Sequence, residues 1–443
     1  MNGPASHRRE ILRLAVPAFL ALIAEPLFLL ADSAIVGHLG TAELAGLGVA
    51  SAALLTAAGI FVFLAYGTTS VVARYLGAGD TRAAITAGVD GLWLAAGLGL
   101  VTAALVAVLA EPICAAFGAS EAVLAQATTY LRISAAGLPG MLGILAVTGV
   151  LRGLQDTRTP LVASVIGFTA NIGLNVLLVY GFGWGIAGSA WGTVIAQTGM
   201  AVGLVTVLLR KARARQASLH PHPGRILAAA RTGVPLLIRT LALRATLLLT
   251  TWVAASLGDV PLAAHQVALT VWSFLAFALD ALAIAAQAIV GRSLGAGDRE
   301  GVRVAVRTMT QWGIWGGLAI GLAVVALHGI LPPLFSPDEP VRAALGAALV
   351  VVGLGQAVAG YVFVLDGVLI GAGDGRWLAW GQVVTLIAYL PLVLAVRARG
   401  PSDSAALDLV VLWLAFTLWM VIRGAVLGWR ARQDAWMVTG AGT

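Results

Sequence analysis

Charge is scarce in this 443-residue sequence: Asp, Glu, Lys and Arg make up 11% of it, against roughly 25% in an ordinary soluble domain. That shortage excludes a soluble globular chain. Cysteine occurs once, at Cys114, and lysine once, at Lys211. A lone cysteine excludes an internal disulfide and a cysteine metal cluster. Lys211 is followed by Ala212, so no Walker A phosphate loop can be completed. An ATP site is therefore not expected. No His-Glu-x-x-His, Gly-x-Ser-x-Gly or paired membrane histidines offer a converging set for catalysis, so the chain does not read as an enzyme.

What is abundant is apolar surface, at 60% of residues. About 20 apolar residues in a helix cross a hydrocarbon core of about 30 Å. Twelve stretches qualify, at 11–36, 44–73, 83–110, 122–150, 159–181, 186–209, 226–256, 262–291, 301–328, 341–369, 377–396 and 406–429. Their length excludes barrel strands, which are about 10 residues of alternating polarity. The first stretch is too long for a cleavable signal peptide and continues into a span. The 54 glycines suit close helix packing in lipid. A biased genome composition would enrich glycine equally, and would also explain arginine in place of lysine.

The chain is duplicated. Leu76-Gly77-Ala78-Gly79-Asp80 recurs as Leu294-Gly295-Ala296-Gly297-Asp298, an offset of 294 − 76 = 218. The same offset carries Pro17 onto Pro235, Gly40 onto Gly258, Leu44 onto Leu262, Phe117 onto Phe335, Gly153 onto Gly371, Asp156 onto Asp374 and Arg158 onto Arg376. Six spans fall in each half, and an even number returns the chain to its starting side. The fold expected is therefore all-α and integral to the membrane: two six-helix bundles, related by a parallel pseudo-two-fold axis along the membrane normal. The amino-terminal lobe is expected at 1–210, a basic linker at 211–225 and the carboxy-terminal lobe at 226–443. His220 and His222 in the linker, flanked by prolines, read as solvated residues; no metal site is expected. The repeated pentapeptide reads as a turn, with glycine ending one helix in the left-handed region and aspartate capping the next.

The formal charge of +7 invites a nucleic-acid reading, which the positions of the charges reject. Arginines gather on alternate loops: Arg8 and Arg9, Arg74 and Arg82, Arg152 and Arg158, 210–225, Arg292 and Arg299, Arg376, then Arg430 and Arg432. This positive-inside pattern puts both termini in the cytoplasm. Arg397 and Arg399 break it, accompanied by Asp403 and Asp408.

Polar residues inside spans carry the functional signal. A carboxylate near the bilayer centre costs about 2.5–3.5 kcal/mol. Asp32 lies six residues before the outer end of the first span, roughly 9 Å deep at 1.5 Å per residue. Loss of water disfavours its charged form, as a group that takes up and releases protons requires. A structural hydrogen bond to a neighbouring helix is the alternative. Glu25 shares its helical face, and Pro17 and Pro26 remove backbone hydrogen bonds that would otherwise keep the span straight. Asn171 and Asn175, one turn apart in span five, either join helices or line a cavity, as does Gln197 in span six. Arg239 and Arg244 in span seven, with Asp280 and Asp366 in spans eight and ten, read as a neutralised polar network of ion pairs, with a second ion-coupling site as the alternative. His265 reads as a packed or interfacial histidine.

The order of several motifs resembles a known family. Leu44-Ala45-Gly46-Leu47-Gly48, the two pentapeptide turns, Leu151-Arg152-Gly153-Leu154-Gln155-Asp156-Thr157 and Ala263-Ala264-His265-Gln266 are similar to the multidrug and toxic compound extrusion (MATE) family. Residues 26–40, Pro-Leu-Phe-Leu-Leu-Ala-Asp-Ser-Ala-Ile-Val-Gly-His-Leu-Gly, look like its DinF (DNA-damage-inducible F) branch. So do Ala278-Leu279-Asp280 and Leu365-Asp366-Gly367. The resemblance covers about residues 8 to 430. It implies a cation-coupled antiporter that exports organic, often cationic and lipophilic, drugs or toxins by alternating access. The family's first-span aspartate falls on Asp32 and its kinking proline on Pro17. Its polar pair in span five falls on Asn171 and Asn175, although this branch commonly has aspartate at the second position, so Asp32 would act more alone. The NorM branch uses acidic residues in spans seven and ten; here span seven offers arginines instead. The expectation is a monomeric, H⁺-coupled exporter in the bacterial cytoplasmic membrane, without cofactor and with lipid, proton and small organic molecules as its partners. Na⁺ coupling and a lipid-like substrate are the alternatives.

Overall fold

The fold is known from a computed structural model that describes residues 4–118 and 120–441; the Glu25 side chain lies outside the described ones. Fifteen α-helices succeed one another, with no strand among the described residues. They are α1 (Pro4–Gly37), α2 (Thr41–Phe61), α3 (Phe63–Gly77), α4 (Thr81–Ala115), α5 (Glu121–Ser134), α6 (Leu138–Gly153), α7 (Arg158–Val176) and α8 (Gly185–Ala214). After the linker come α9 (Pro223–Ser256), α10 (Asp259–Gly295), α11 (Arg299–Leu327), α12 (Pro332–Phe335), α13 (Glu339–Gly371), α14 (Gly375–Arg399) and α15 (Ala405–Ala431). Together they make twelve helical spans of sufficient length and hydropathy to cross a membrane, the number expected. Span two is α2 with α3, and span four is α5 with α6.

The interruption in span four has a local cause. Residues Ala135–Gly137 form a single tight turn just before Pro139, which has no N–H to offer the carbonyl one turn back. Span five ends in a wide turn at Leu177–Gly181. There Gly188 of α8 lies so close that a Cβ would strike the backbone of Leu178. Pro17 and Pro26 both lie inside α1, which remains helical through them.

The repeated pentapeptide makes the turn expected of it. Gly79 and Gly297 take φ values of 82° and 77°, a conformation that costs glycine nothing sterically. Asp80 then accepts from the Ala83 N–H and Asp298 from the Gly301 N–H, both at 2.8 Å. The two arginines that break the charge pattern are tied down locally. Arg399 pairs with buried Asp408, which also accepts from Ser402, while the Arg397 guanidinium lies 3.6 Å from the Trp252 ring centre.

Two compact units divide the chain: Val16–Gly233 with Gly440–Thr443, and Val234–Thr439 with Met1–Ala15. The first turns of α1 thus belong with the second half, where Glu10 pairs with Arg292 at 2.8 Å. Reciprocally, the first turns of α9 belong with the first half, where Arg225 pairs with buried Asp90 at 2.7 Å. Within the second unit α13 is the central helix. Gly313, Gly317 and Gly321 of α11, spaced by four, meet Gly353, Gln356 and Gly360 of α13 backbone to backbone. Gly367 and Gly371 let α13 approach Ala283 and Gln287 of α10 equally closely. Without water to drive burial, such small-residue contacts are a main source of helix association in lipid.

Candidate functional site

The first unit holds one buried carboxylate in a cage of neutral donors. Asp32 on α1 is 2% exposed. Its Oδ1 accepts from Asn175 Nδ2 of α7 at 2.6 Å and from Ser189 Oγ of α8 at 2.7 Å; its Oδ2 accepts from Tyr130 Oη of α5 at 3.3 Å. Four helices therefore converge on one side chain. Among the described residues no arginine, lysine or histidine makes an ion pair with it. Hydrogen bonds to a charged group are worth about 1.5–3 kcal/mol each, so three offset much of the cost of burying the charge.

The cage extends as a polar stripe. Asn171 Nδ2, one turn before Asn175, donates to Thr193 Oγ1 at 3.1 Å, and Thr193 lies one turn after Ser189 on α8. Gly192 makes the crossing possible, because a Cβ there would strike Asn175 Oδ1. Gln197 continues the spacing of four along α8 but is half-buried beside Gly137, away from the carboxylate. Asn171 and Asn175 are thus joined to the Asp32 cluster, directly or through α8, and Gln197 is not. The sequence reading missed Ser189, Thr193 and Tyr130. The repeat Ser189, Thr193, Gln197 at intervals of four in an otherwise apolar helix was the signal that pointed to one polar face. Both asparagines keep a buried Oδ1 without a hydrogen-bond partner.

The second unit's buried carboxylate has opposite company. Asp366 on α13 pairs with Arg239 of α9, and with Arg423 of α15 at 3.2 Å; all three are under a tenth exposed. Of the network expected from sequence, Arg239 and Asp366 pair directly, and one member, Arg244, is corrected. Arg244 is exposed and makes no ion pair among the described residues, because five positions turn a helix through about 140° net of a full turn and point it away from the face of Arg239. Arg423, not singled out in the sequence, takes that place, while Asp280 is half-buried on α10. His265 is fully buried, hydrogen-bonded to Thr251 at 3.1 Å and packed on Trp413. No group of three or more potential metal ligands occurs among the described residues.

Among the described residues, twelve apolar helical spans, a doubled helix pattern and an uncharged cage around a buried carboxylate define a polytopic membrane protein of the transporter kind. The chain belongs to the MatE family of multidrug efflux transporters: the family profile matches residues 17–177 and again 235–396. The two matches begin 235 − 17 = 218 residues apart, the offset of the internal repeat. Protein DETOXIFICATION 44, chloroplastic, of Arabidopsis thaliana is 32% identical, over 96% of this chain and 83% of that protein. DNA damage-inducible protein F of Escherichia coli K12 is 30% identical, over 97% and 94%. A crystal structure of a mutant of the Vibrio cholerae MATE transporter VcmN shares the fold, with a TM-score of 0.88 at 22% identity over 98% and 99% of the two chains.

Proposed function

We propose that the chain exports organic, cationic or lipophilic compounds by H⁺-coupled antiport, with Asp32 as the group that carries the proton. The observation behind this reading is the cage: a buried carboxylate held only by neutral donors can change protonation without abandoning a fixed counter-charge. In the ionised state Asp32 accepts three hydrogen bonds. On protonation one oxygen becomes a donor and needs an acceptor. The unpartnered Oδ1 of Asn175 supplies one if the amide turns, so an asparagine serves both states. The two states differ in contacts among α1, α5, α7 and α8, and that difference couples protonation to conformation. Bending of α1 at Pro17 and Pro26, where backbone hydrogen bonds are missing, then reshapes the stripe of Asn171 and Asn175 and releases substrate.

No ATP, metal or other cofactor enters this scheme, and a monomer in the bacterial cytoplasmic membrane, both termini inside, suffices for it. Asp366 is a poor sodium ligand here, because two guanidiniums already neutralise it. The same guanidiniums support export of a lipid-like anionic substrate as the second reading. The experiment is dye efflux in proteoliposomes with pH and sodium gradients imposed separately, for the native chain and Asp32→Asn. Efflux driven by the pH gradient alone and lost in Asp32→Asn is expected. Undiminished pH-driven efflux in a well-folded Asp32→Asn protein, or efflux driven only by sodium, would overturn the proposal.

A further inference from the structure

The seam between α11, α13 and α15 is open along part of its length. A crevice of about 510 Å³ runs there, lined by Ile314, Tyr361, Val421, Ala425, Trp429 and Arg432 among others. Gly424 and Gly428, one turn apart on α15, let Tyr361 of α13 lie close: a Cβ on Gly428 would strike Tyr361 Oη, and one on Gly424 would press on Val362 and touch the Tyr361 ring. The wall is almost wholly aliphatic or aromatic. Arg432 stands at one end, exposed, with no carboxylate partner among the described residues.

The crevice has the length and polarity of one leaflet. From Arg432 to Val421 is eleven residues of nearly continuous helix, roughly 16 Å, about half of a 30 Å hydrocarbon core. The charged end is the one that also carries Arg292, Arg299 and Arg376 in the neighbouring turns, the side that faces anionic cytoplasmic lipid if the positive-inside pattern holds. Trp429, 56% exposed beside Arg432, is the aromatic expected at a headgroup boundary.

The internal repeat provides an independent observation. Subtracting 218 maps α11 onto α4, α13 onto α5 with α6, and α15 onto α8. There Thr206 and Val207 stand where the second unit has Gly424 and Ala425. Ala217 and Leu219 of the linker pack against the buried cluster of Val147, Leu204 and Leu208, and Trp93 Nε1 donates to the Leu219 carbonyl at 3.1 Å. In the first unit the linker thus packs against α4 and against the cluster that α6 and α8 share. We propose that the second seam is a binding site for an anionic phospholipid, with its phosphate on Arg432 and one acyl chain along the crevice.

The test is native mass spectrometry of the full chain in a non-ionic detergent with added phosphatidylglycerol or phosphatidylethanolamine. One phosphatidylglycerol is retained in preference. Arg432→Gln lowers its occupancy about fivefold, the effect of one arginine near an anionic headgroup. Ala425→Phe, at an exposed position that fills the crevice, lowers occupancy to a similar or greater extent, while Arg299→Gln, at the same end but outside the crevice, leaves it unchanged. The proposal fails if either crevice variant keeps native occupancy, if Arg299→Gln loses as much, if the two lipids are retained equally, or if millimolar inorganic phosphate displaces the lipid.

Discussion

Asp32 and Asp366 are both carboxylates buried inside membrane helices, and their surroundings are opposites. Asp32 is held by Asn175, Ser189 and Tyr130; Asp366 is held by Arg239 and Arg423. Neither arrangement has a counterpart at the equivalent positions of the other half. Adding 218 turns Asp32, Asn175, Ser189 and Tyr130 into Thr250, Val393, Leu407 and Ala348; subtracting it turns Asp366, Arg239 and Arg423 into Thr148, Ala21 and Val205. In place of the cage, Thr250 shares a 2.8 Å hydrogen bond with Tyr389. Duplication kept the helices and turns while each half acquired its own polar centre. A fixed counter-charge holds a carboxylate ionised and in place, whereas neutral donors leave it free to gain a proton.

That contrast can be broken most severely at Asp366. Asp366→Leu strands two buried guanidiniums and is expected to destabilise the protein by about 3–5 kcal/mol, seen as a large drop in thermal stability and monodisperse yield. Replacing all three members, as Arg239→Met, Asp366→Leu and Arg423→Met, is expected to restore much of that stability, since apolar side chains of similar volume often substitute for a buried ion cluster without loss. Asp32→Asn sharpens the other side: efflux driven by a pH gradient falls at least tenfold while the melting temperature stays close to native, because an amide of the same size still fills the cage. Ser189→Ala removes one of three hydrogen bonds, and a reduction in efflux rate of severalfold follows if each contributes about 1 kcal/mol or more. Smallest of all, Arg244→Gln leaves both stability and efflux within experimental error of native, in contrast to Arg239→Gln.

Much of this was legible in the sequence. Twelve spans, the duplication and the capped turns follow from apolar length, a constant offset and Gly-Asp chemistry. Asp32 stood out because a carboxylate is conspicuous in an apolar run, and Asn175 because its turn-mate Asn171 marks a face. Ser189 did not stand out, because in Gly-Ile-Ala-Gly-Ser-Ala it looks like one more small packing residue. Tyr130 lies 98 positions from Asp32, and nothing local announces that the two meet. Arg423, seven residues before Arg430, was not singled out, because only tertiary packing aims it at Asp366. The break in span four was signalled by Pro139 but is hidden by the unbroken hydrophobicity around it.

The exchange of first turns between the two units has a consequence for biosynthesis. Glu10 leaves the ribosome 292 − 10 = 282 residues before Arg292, its ion-pair partner. At about 5–20 residues per second that is roughly a quarter of a minute to a minute. Until Val234 and the residues after it are made, the start of α1 has no native partner from its own unit, and Glu10 waits the whole interval for Arg292, while Arg225 meets the already inserted Asp90 almost as soon as it is made. The first unit can therefore close during translation, and the second must reach back for the earliest segment of the chain.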